Sequence, residues 1–280
     1  MAGTVATTGA HPAPAVNDSA TFSRSGEVLR DIARGGITGA IVGIVVGGLG
    51  GRLIMRIAAI LHADAVGAVT ENGNRIGEIT LGGTLFLAVF GLIFGVLAGA
   101  VWVIVSPWIP GRGSVRAVLT AGVAIAIGTP LLIIGRNPDF VILDHDASVV
   151  ALLVALVGTF GLAVAILDGW LDRRLPHAAN GRKGPTAFYA IVTLLGAVTV
   201  LPFLLLLLFT SDEYALPLRA GYALFLVGLC SAIWWGLRIR GRGGPPRGLV
   251  LAARGALLVA VILGVLTTLP HLSQALGVPR

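Results

Sequence analysis

The sequence holds a single cysteine, Cys230, and a single lysine, Lys183, among 280 residues. One thiol cannot form an intramolecular disulfide, so cysteine sets no redox compartment. The one lysine sits in the hydrophilic stretch GRKG, which excludes a Schiff-base chromophore held inside the apolar segments. Histidine is nearly as scarce, with five residues, and none falls within an apolar run. A haem gripped by two histidines in hydrocarbon is thereby excluded. No apolar run carries a carboxylate near its centre, which argues against a proton relay of the usual kind. A phosphate loop and a His-Glu-x-x-His pair are absent, as is a Gly-x-Ser-x-Gly elbow. Ser231 is the only serine well inside an apolar run, and no histidine in a run is there to activate it. The chain thus offers no machinery for intramembrane proteolysis by serine or zinc, and no cofactor is expected.

Charge is scarce too, at 12% of residues, against about 25% in soluble domains. What fills the chain is apolar: 56% of residues are hydrophobic, with a mean hydropathy of +0.93. Seven apolar runs are legible, at Gly36–Met55, Leu81–Val105, Ala117–Gly135, Ser148–Leu167, Thr186–Phe209, Ala220–Leu237 and Leu249–Leu269. Each is near the ~20 residues that a helix needs to cross ~30 Å of hydrocarbon. The expected fold is therefore all-α: a polytopic integral membrane bundle of about seven transmembrane helices. Residues 1–34 are small and polar and predict a disordered cytoplasmic arm with a short amphipathic helix near Glu27–Arg34. Residues 35–269 form the seven-span domain, and 270–280 a short external tail.

The formal charge of +7 is distributed, not clustered. Alternate connecting segments carry 13 basic residues, among them Arg24, Arg30, Arg34, Arg112, Arg116, Arg173, Arg174, Arg182, Lys183, Arg238 and Arg240. The other segments hold Arg75, Arg136, Arg219 and Arg280, and the acids Asp64, Glu71, Glu78, Asp139, Asp144, Asp146, Asp212 and Glu213. The positive-inside rule then places the N-terminus in the cytoplasm and the C-terminus outside. Trp102, Trp108, Trp170, Trp234 and Trp235 all fall at or just beyond the ends of spans 2, 4 and 6. Indole rings favour the membrane interface, so they predict the same orientation. The loop RIRGRGGPPR (Arg238–Arg247) is arginine- and glycine-rich, yet its place on the positive side points to anionic lipid headgroups instead of nucleic acid.

Glycine is abundant, with 40 residues. Within GGITGAIVGIVVGGLGGRLIMR it recurs at Gly35, Gly39, Gly43, Gly47 and Gly51, and in span 2 at Gly91, Gly95 and Gly99. Positions four apart drift about 40° past a full helical turn, making a strip along one face. In lipid, close packing of small residues drives helix association. Span 1 is expected to pack on span 2, or each on its copy in a second subunit. A pore or sliding contact is the functional reading, and plain packing the structural one. Pro130 and Pro202, inside spans 3 and 5, predict local kinks.

Arg52 and Arg56 follow the strip, one turn apart and on one face. Arg52 lies about 25 Å along the axis from Gly35, at the outer edge of the hydrocarbon. They predict an outer anion or headgroup site, since guanidinium suits phosphate and carboxylate. The alternative is an ion pair with Asp64, Glu71, Glu78 or an acid of the 139–146 loop, or snorkelling. Asp144-His145-Asp146 with His62 and Asp64 forms an outer acidic cluster whose spacing fits no zinc pattern, so no metal is expected. Asn72-Gly73 suggests a small hairpin. Asp168 and Asp172 share a face and predict a salt-bridged helix end with Arg173 and Arg174. In general character the chain is similar to polytopic membrane proteins of bacteria, without a specific motif. Two functional expectations follow: a passive transport protein or membrane subunit of a transporter, or a structural or regulatory protein working through partners at its basic loops. Expected contacts are a cell membrane's anionic headgroups and a homo-oligomer or other membrane subunits.

Overall fold

The computed structural model of the chain describes residues 18–69, 75–78, 80–134, 137, 139–178, 183–209 and 218–278. Residues 1–17, Glu71, Asn72, Gly73, Arg136, Arg182, Asp212, Glu213 and Arg280, on which parts of the expectation rest, lie outside these ranges. The described residues form helices and no strand. The order is α1 (Asp18–Val42), a π-helical stretch (Gly43–Gly50), α2 (Gly51–Leu61), a 3-10 turn (Ala63–Ala65), α3 (Leu81–Val105), α4 (Gly113–Leu132), α5 (Asp139–Ile142), α6 (Ala147–Arg174), α7 (Lys183–Phe209), α8 (Leu218–Ile239) and α9 (Arg247–Ala275). Among the described residues seven helices are long and apolar enough to cross a membrane, the first running unbroken from Thr21 to Leu61.

Two boundaries and one expected kink differ from the expectation. The first helix begins at Asp18, so residues 18–34 are helix and not a disordered arm. They are helical because they are docked: Val28, Arg30 and Ala33 are buried, and Ala33 packs with Ala178 and Tyr189. The last helix runs through Pro270 to Ala275, well into the segment expected as a tail. Ala275 is fully buried with Ile133, Phe140 and Val150, which holds those last turns. Pro130 stands two residues before the end of α4, where it accompanies a stop more than a kink.

The glycine strip lies against α3. A β-carbon on Gly39 would fall 2.7 Å from Gly99 Cα, and one on Gly43 would fall 2.6 Å from Gly95 Cα. The reciprocal positions are equally tight, with Gly91 2.9 Å from Gly48 N. Real carbon contacts sit at about 3.5–4.0 Å, so these backbones touch only because both strips lack side chains. The strip does not keep its spacing. The π-helical stretch closes i→i+5 rings and so takes in an extra residue. The contact therefore passes from Gly43 to Gly48, whose β-carbon would lie 2.9 Å from Leu87 O, while Gly47 has an ordinary 3.7 Å clearance and Gly51 faces open space. Two further glycines make contacts that their isolated positions do not advertise. Gly161 of α6 abuts Thr120 and Ala121 of α4, and Gly264 of α9 abuts Ala126 and Ile127 of α4.

These contacts set the bundle. α1 packs on α3, α4 on α6 and α9, and α8 on α9. The Arg34 turn of α1, the end of α3, the start of α4 and the ends of α6 and α8 meet at one end, which brings Arg34, Arg116 and Arg238 together. There the main core cluster joins Val42, Trp102, Val105, Trp108, Val164, Val227 and Leu257. Trp102 and Trp108, expected at a lipid interface, are 5% and 1% exposed. Trp108 donates its indole N–H to Ser231 Oγ at 2.7 Å, and Ser231 donates to Ile104 O at 2.6 Å. A buried hydroxyl thus takes the role that interfacial water would take, and the ring becomes core. Trp170 is exposed.

Candidate functional site

The arginine-rich end carries a buried charge network that joins α1, α6 and α8. Arg30, 2% exposed, donates to Asp172 Oδ1 at 2.9 Å and to the main-chain oxygens of Asp172 at 2.5 Å and Leu175 at 3.2 Å. Arg34 donates from Nε to Asp168 Oδ1 at 2.8 Å and from Nη1 to Asp172, and it lies 3.3 Å from Asp31. Arg238, at the end of α8, donates to Asp31 Oδ2 at 2.5 Å. Three guanidinium groups thus face three carboxylates, and the set is electrically balanced. Asp168 is 4% exposed, which is tolerable for a charge only when it is paired and hydrogen-bonded in this way. Asp168 and Asp172 therefore pair across helices with Arg30 and Arg34, and not with their neighbours Arg173 and Arg174 as the sequence suggested. Arg174 instead lies over the Trp170 ring, 5.5 Å from its centroid.

Beside this network is a cavity of about 180 Å³. Its walls come from α1 (Asp31, Arg34), the end of α3 (Trp102, Ser106), the start of α4 (Arg116), α6 (Asp168) and the end of α8 (Trp234, Trp235, Arg238). Arg116 donates to Ser106 O at 2.9 Å and sits over the Trp102 ring, 5.2 Å from the centroid. Neither Arg116 Nε nor Trp102 Nε1, both buried, has a hydrogen-bond partner in the protein.

Arg52 and Arg56 lie at the other end, in a second cavity of about 130 Å³ that they share with Arg75, Glu78, Gly83 and Asp139. Among the described residues their hydrogen bonds go to main-chain oxygens: Arg52 donates to Glu78 O at 2.7 Å and Arg56 to Gly77 O at 3.2 Å. They pin the 75–78 segment to α2, and an antiparallel bridge between Val69 and Arg75 closes the loop. Gly77, at φ +85°, supplies the left-handed turn that points this carbonyl toward Arg56. Of the outer acids and histidines, His62 and Asp146 meet at 2.8 Å. Asp146 also accepts from Ser148 N at 2.7 Å, capping α6. This N–H, and then His62, hold the Asp146 carboxyl below its usual pKa. His145 donates to Ala275 O at 3.0 Å. Among the described residues no three acidic, histidine or cysteine side chains converge to hold a metal.

Arg52 and Arg56, which the sequence pairs on one face, both line the second cavity, whereas of the first cavity's residues the sequence singles out only Asp168 for pairing. Arg34, Arg116 and Arg238 had been read as topology signals and Trp102 as an interface anchor. The available signal was Asp31 and Asp168, acids on segments otherwise marked basic. Compared with protein-family models, with curated proteins and with solved structures, the chain matches none.

Proposed function

We propose that this chain is a multi-pass protein of a cell membrane, with its N-terminus and arginine-rich end in the cytoplasm and its C-terminus outside, and that it is a passive transport protein for small anions or the membrane subunit of a transporter. One observation carries this reading: the two cavities lie at opposite ends of the same helix pair, and each is lined by three arginines. Arg34, Arg116 and Arg238 line one, with Asp31 and Asp168, and Arg52, Arg56 and Arg75 the other, with Glu78 and Asp139, which leaves one cation in excess in each. Fixed positive charge in a cleft with low-dielectric walls raises the local anion concentration. Between the cavities the pair touches through glycine backbones and a π-helical stretch, a feature frequent at functional sites. The test is efflux of chloride, nitrate, phosphate and small carboxylates from liposomes holding the purified protein. Flux above empty liposomes that falls on Arg52→Gln and on Arg116→Gln supports transport. No flux from well-folded protein refutes it.

A second reading, a structural or regulatory protein acting through partners, is favoured by α7. Its span is the least buried of the seven, with Phe188, Ile191, Leu194, Leu195 and Val198 all exposed. A second copy or another membrane subunit would cover that face, while the basic loops meet anionic headgroups. Cross-linking from a cysteine placed at Leu195 in native membranes separates lipid from protein as the neighbour.

A further inference from the structure

We propose that the cavity at the arginine-rich end is a binding site for a phosphate group, with Arg116 and the indole N–H of Trp102 as its donors. The proposal stands on binding alone and does not require that the protein transports anything.

Four observations converge on it. The first is the charge remaining on the walls. Asp31 and Asp168 also line the cavity, but both are engaged, Asp31 by Arg238 and Asp168 by Arg34. Arg116 is the cation left over: among the described residues it has no carboxylate partner, only a carbonyl and an aromatic face. The second is the pair of orphaned donors. Trp102 is 5% exposed, its Nε1 is buried and unpartnered, and the same holds for Arg116 Nε. Buried N–H groups in native proteins are nearly always satisfied, and two on residues that line one cavity call for an acceptor that the described residues do not supply. The third is size, since about 180 Å³ is far above the ~10–15 Å³ that a single water needs. The fourth is position. The cavity opens among helix ends, at the level where the apolar spans give way to arginine-rich segments. If the chain lies in a bilayer, that is the level of lipid phosphates.

Phosphate fits better than carboxylate. The donors come from different helices, an indole on α3 and a guanidinium on α4, with Arg238 of α8 nearby. Such a set surrounds a tetrahedral oxyanion more readily than a planar one. Arginine also recognises phosphate with two parallel N–H groups. The group is either that of an anionic lipid or a free phosphate ion.

The test uses the full chain in a neutral detergent and follows its thermal unfolding midpoint, which a ligand of the folded state raises. One arm titrates inorganic phosphate against chloride at matched ionic strength. The other titrates phosphatidylglycerol against diacylglycerol, which lacks the phosphate. A saturable rise with inorganic phosphate assigns a free-ion site, and a rise with phosphatidylglycerol alone assigns a headgroup site. Either supports the proposal, provided that Arg116→Gln and Trp102→Phe each weaken half-saturation about tenfold or more and that Arg242→Gln, in an exposed loop, leaves it unchanged. Trp102→Phe keeps an aromatic face under Arg116 while removing the N–H and one ring of the bicycle; read by half-saturation and not by the midpoint of the unliganded protein, it decides the matter even if Arg116→Gln does not fold. Equal responses to chloride and phosphate together with equal responses to both lipids, or variants that respond as the parent does, overturn the proposal.

Discussion

The register of the first span gives a sharp expectation at two neighbouring glycines. In an uninterrupted α-helix the strip Gly35, Gly39, Gly43 would continue at Gly47, and alanine there would be the damaging change. The π-helical stretch moves the contact to Gly48. A β-carbon on Gly48 would lie 2.9 Å from Leu87 O and 3.1 Å from Ala88 Cα, whereas one on Gly47 would lie 3.7 Å from Gly91 Cα. Carbon atoms rest at about 3.5–4.0 Å, so Gly48→Ala must part the two helices by several tenths of an ångström. A gap of ~0.5–1 Å forfeits a quarter to a half of each neighbouring dispersion contact, and overpacking of this kind costs about 1–3 kcal/mol. Against this stands the gain of up to ~1 kcal/mol that alanine brings over glycine in a helix. The net expectation is that Gly48→Ala destabilises by up to ~2 kcal/mol, while Gly47→Ala is neutral or stabilises by up to ~1 kcal/mol. At about 2 °C or more per kcal/mol for a chain of this size, the two midpoints should separate by several degrees. Gly39→Ala, tighter still, belongs with Gly48, and Gly51→Ala, facing open space, with Gly47. The assay is thermal unfolding of the purified variants in one detergent. Gly47→Ala melting below Gly48→Ala would refute the shifted register.

The remaining expectations concern polar groups. Asp168→Asn takes a carboxylate from the largely buried Arg34, which keeps Asp31 and Asp172, so the loss should be about 3 kcal/mol, the low end for breaking a buried pair. Asp172 is itself half-exposed but is the nearest carboxylate to the buried Arg30 and a partner of Arg34, so its removal should also cost about 3 kcal/mol; chemical denaturation read by tryptophan fluorescence measures both. Ser231→Ala strands the Trp108 N–H in the core and should cost about 1–3 kcal/mol. Adding Trp108→Phe should cost less than the sum of the two changes, and additivity would show that the bond contributes nothing. Asp146 is held below its ordinary pKa by Ser148 N–H and His62, so its contribution is fully present above the usual carboxylate value of about 3.9 and is lost as pH falls through its lower folded value. Thermal midpoints followed from neutral to acid pH should therefore fall for the parent, and less so for Asp146→Asn.

How much was legible depended on the range over which each signal acts. Hydropathy is local, and it located all seven apolar helices. It misplaced their ends because ends are fixed by tertiary docking: α1 extends to Asp18 through Ala33 and Arg30 packing on the 175–189 region, and α9 extends to Ala275 through the Ile133 cluster. The spacing of the glycines was legible, but not the π-helical insertion, because Gly47 and Gly48 are chemically identical and only the backbone hydrogen bonds decide which of them faces α3.

The charge network was hidden for a different reason. Arg30 and Asp172 are 142 positions apart and Arg238 and Asp31 are 207 apart, so no window of sequence contains a pair. Counted by segment, Arg30, Arg34 and Arg238 contribute only to a topology rule, and that rule gives little weight to acids. Yet the two acids that line the cavity at this end, Asp31 and Asp168, stand within or beside the apolar runs, where an unpaired carboxylate is expensive. Their positions alone imply buried cationic partners from other helices. Asking which arginines can reach them, with alternate helix ends at the same level, leaves few choices besides Arg34 and Arg238. The same elimination isolates Arg116 as a cation whose counter-charge no described residue supplies, and the phosphate proposal turns on that residue.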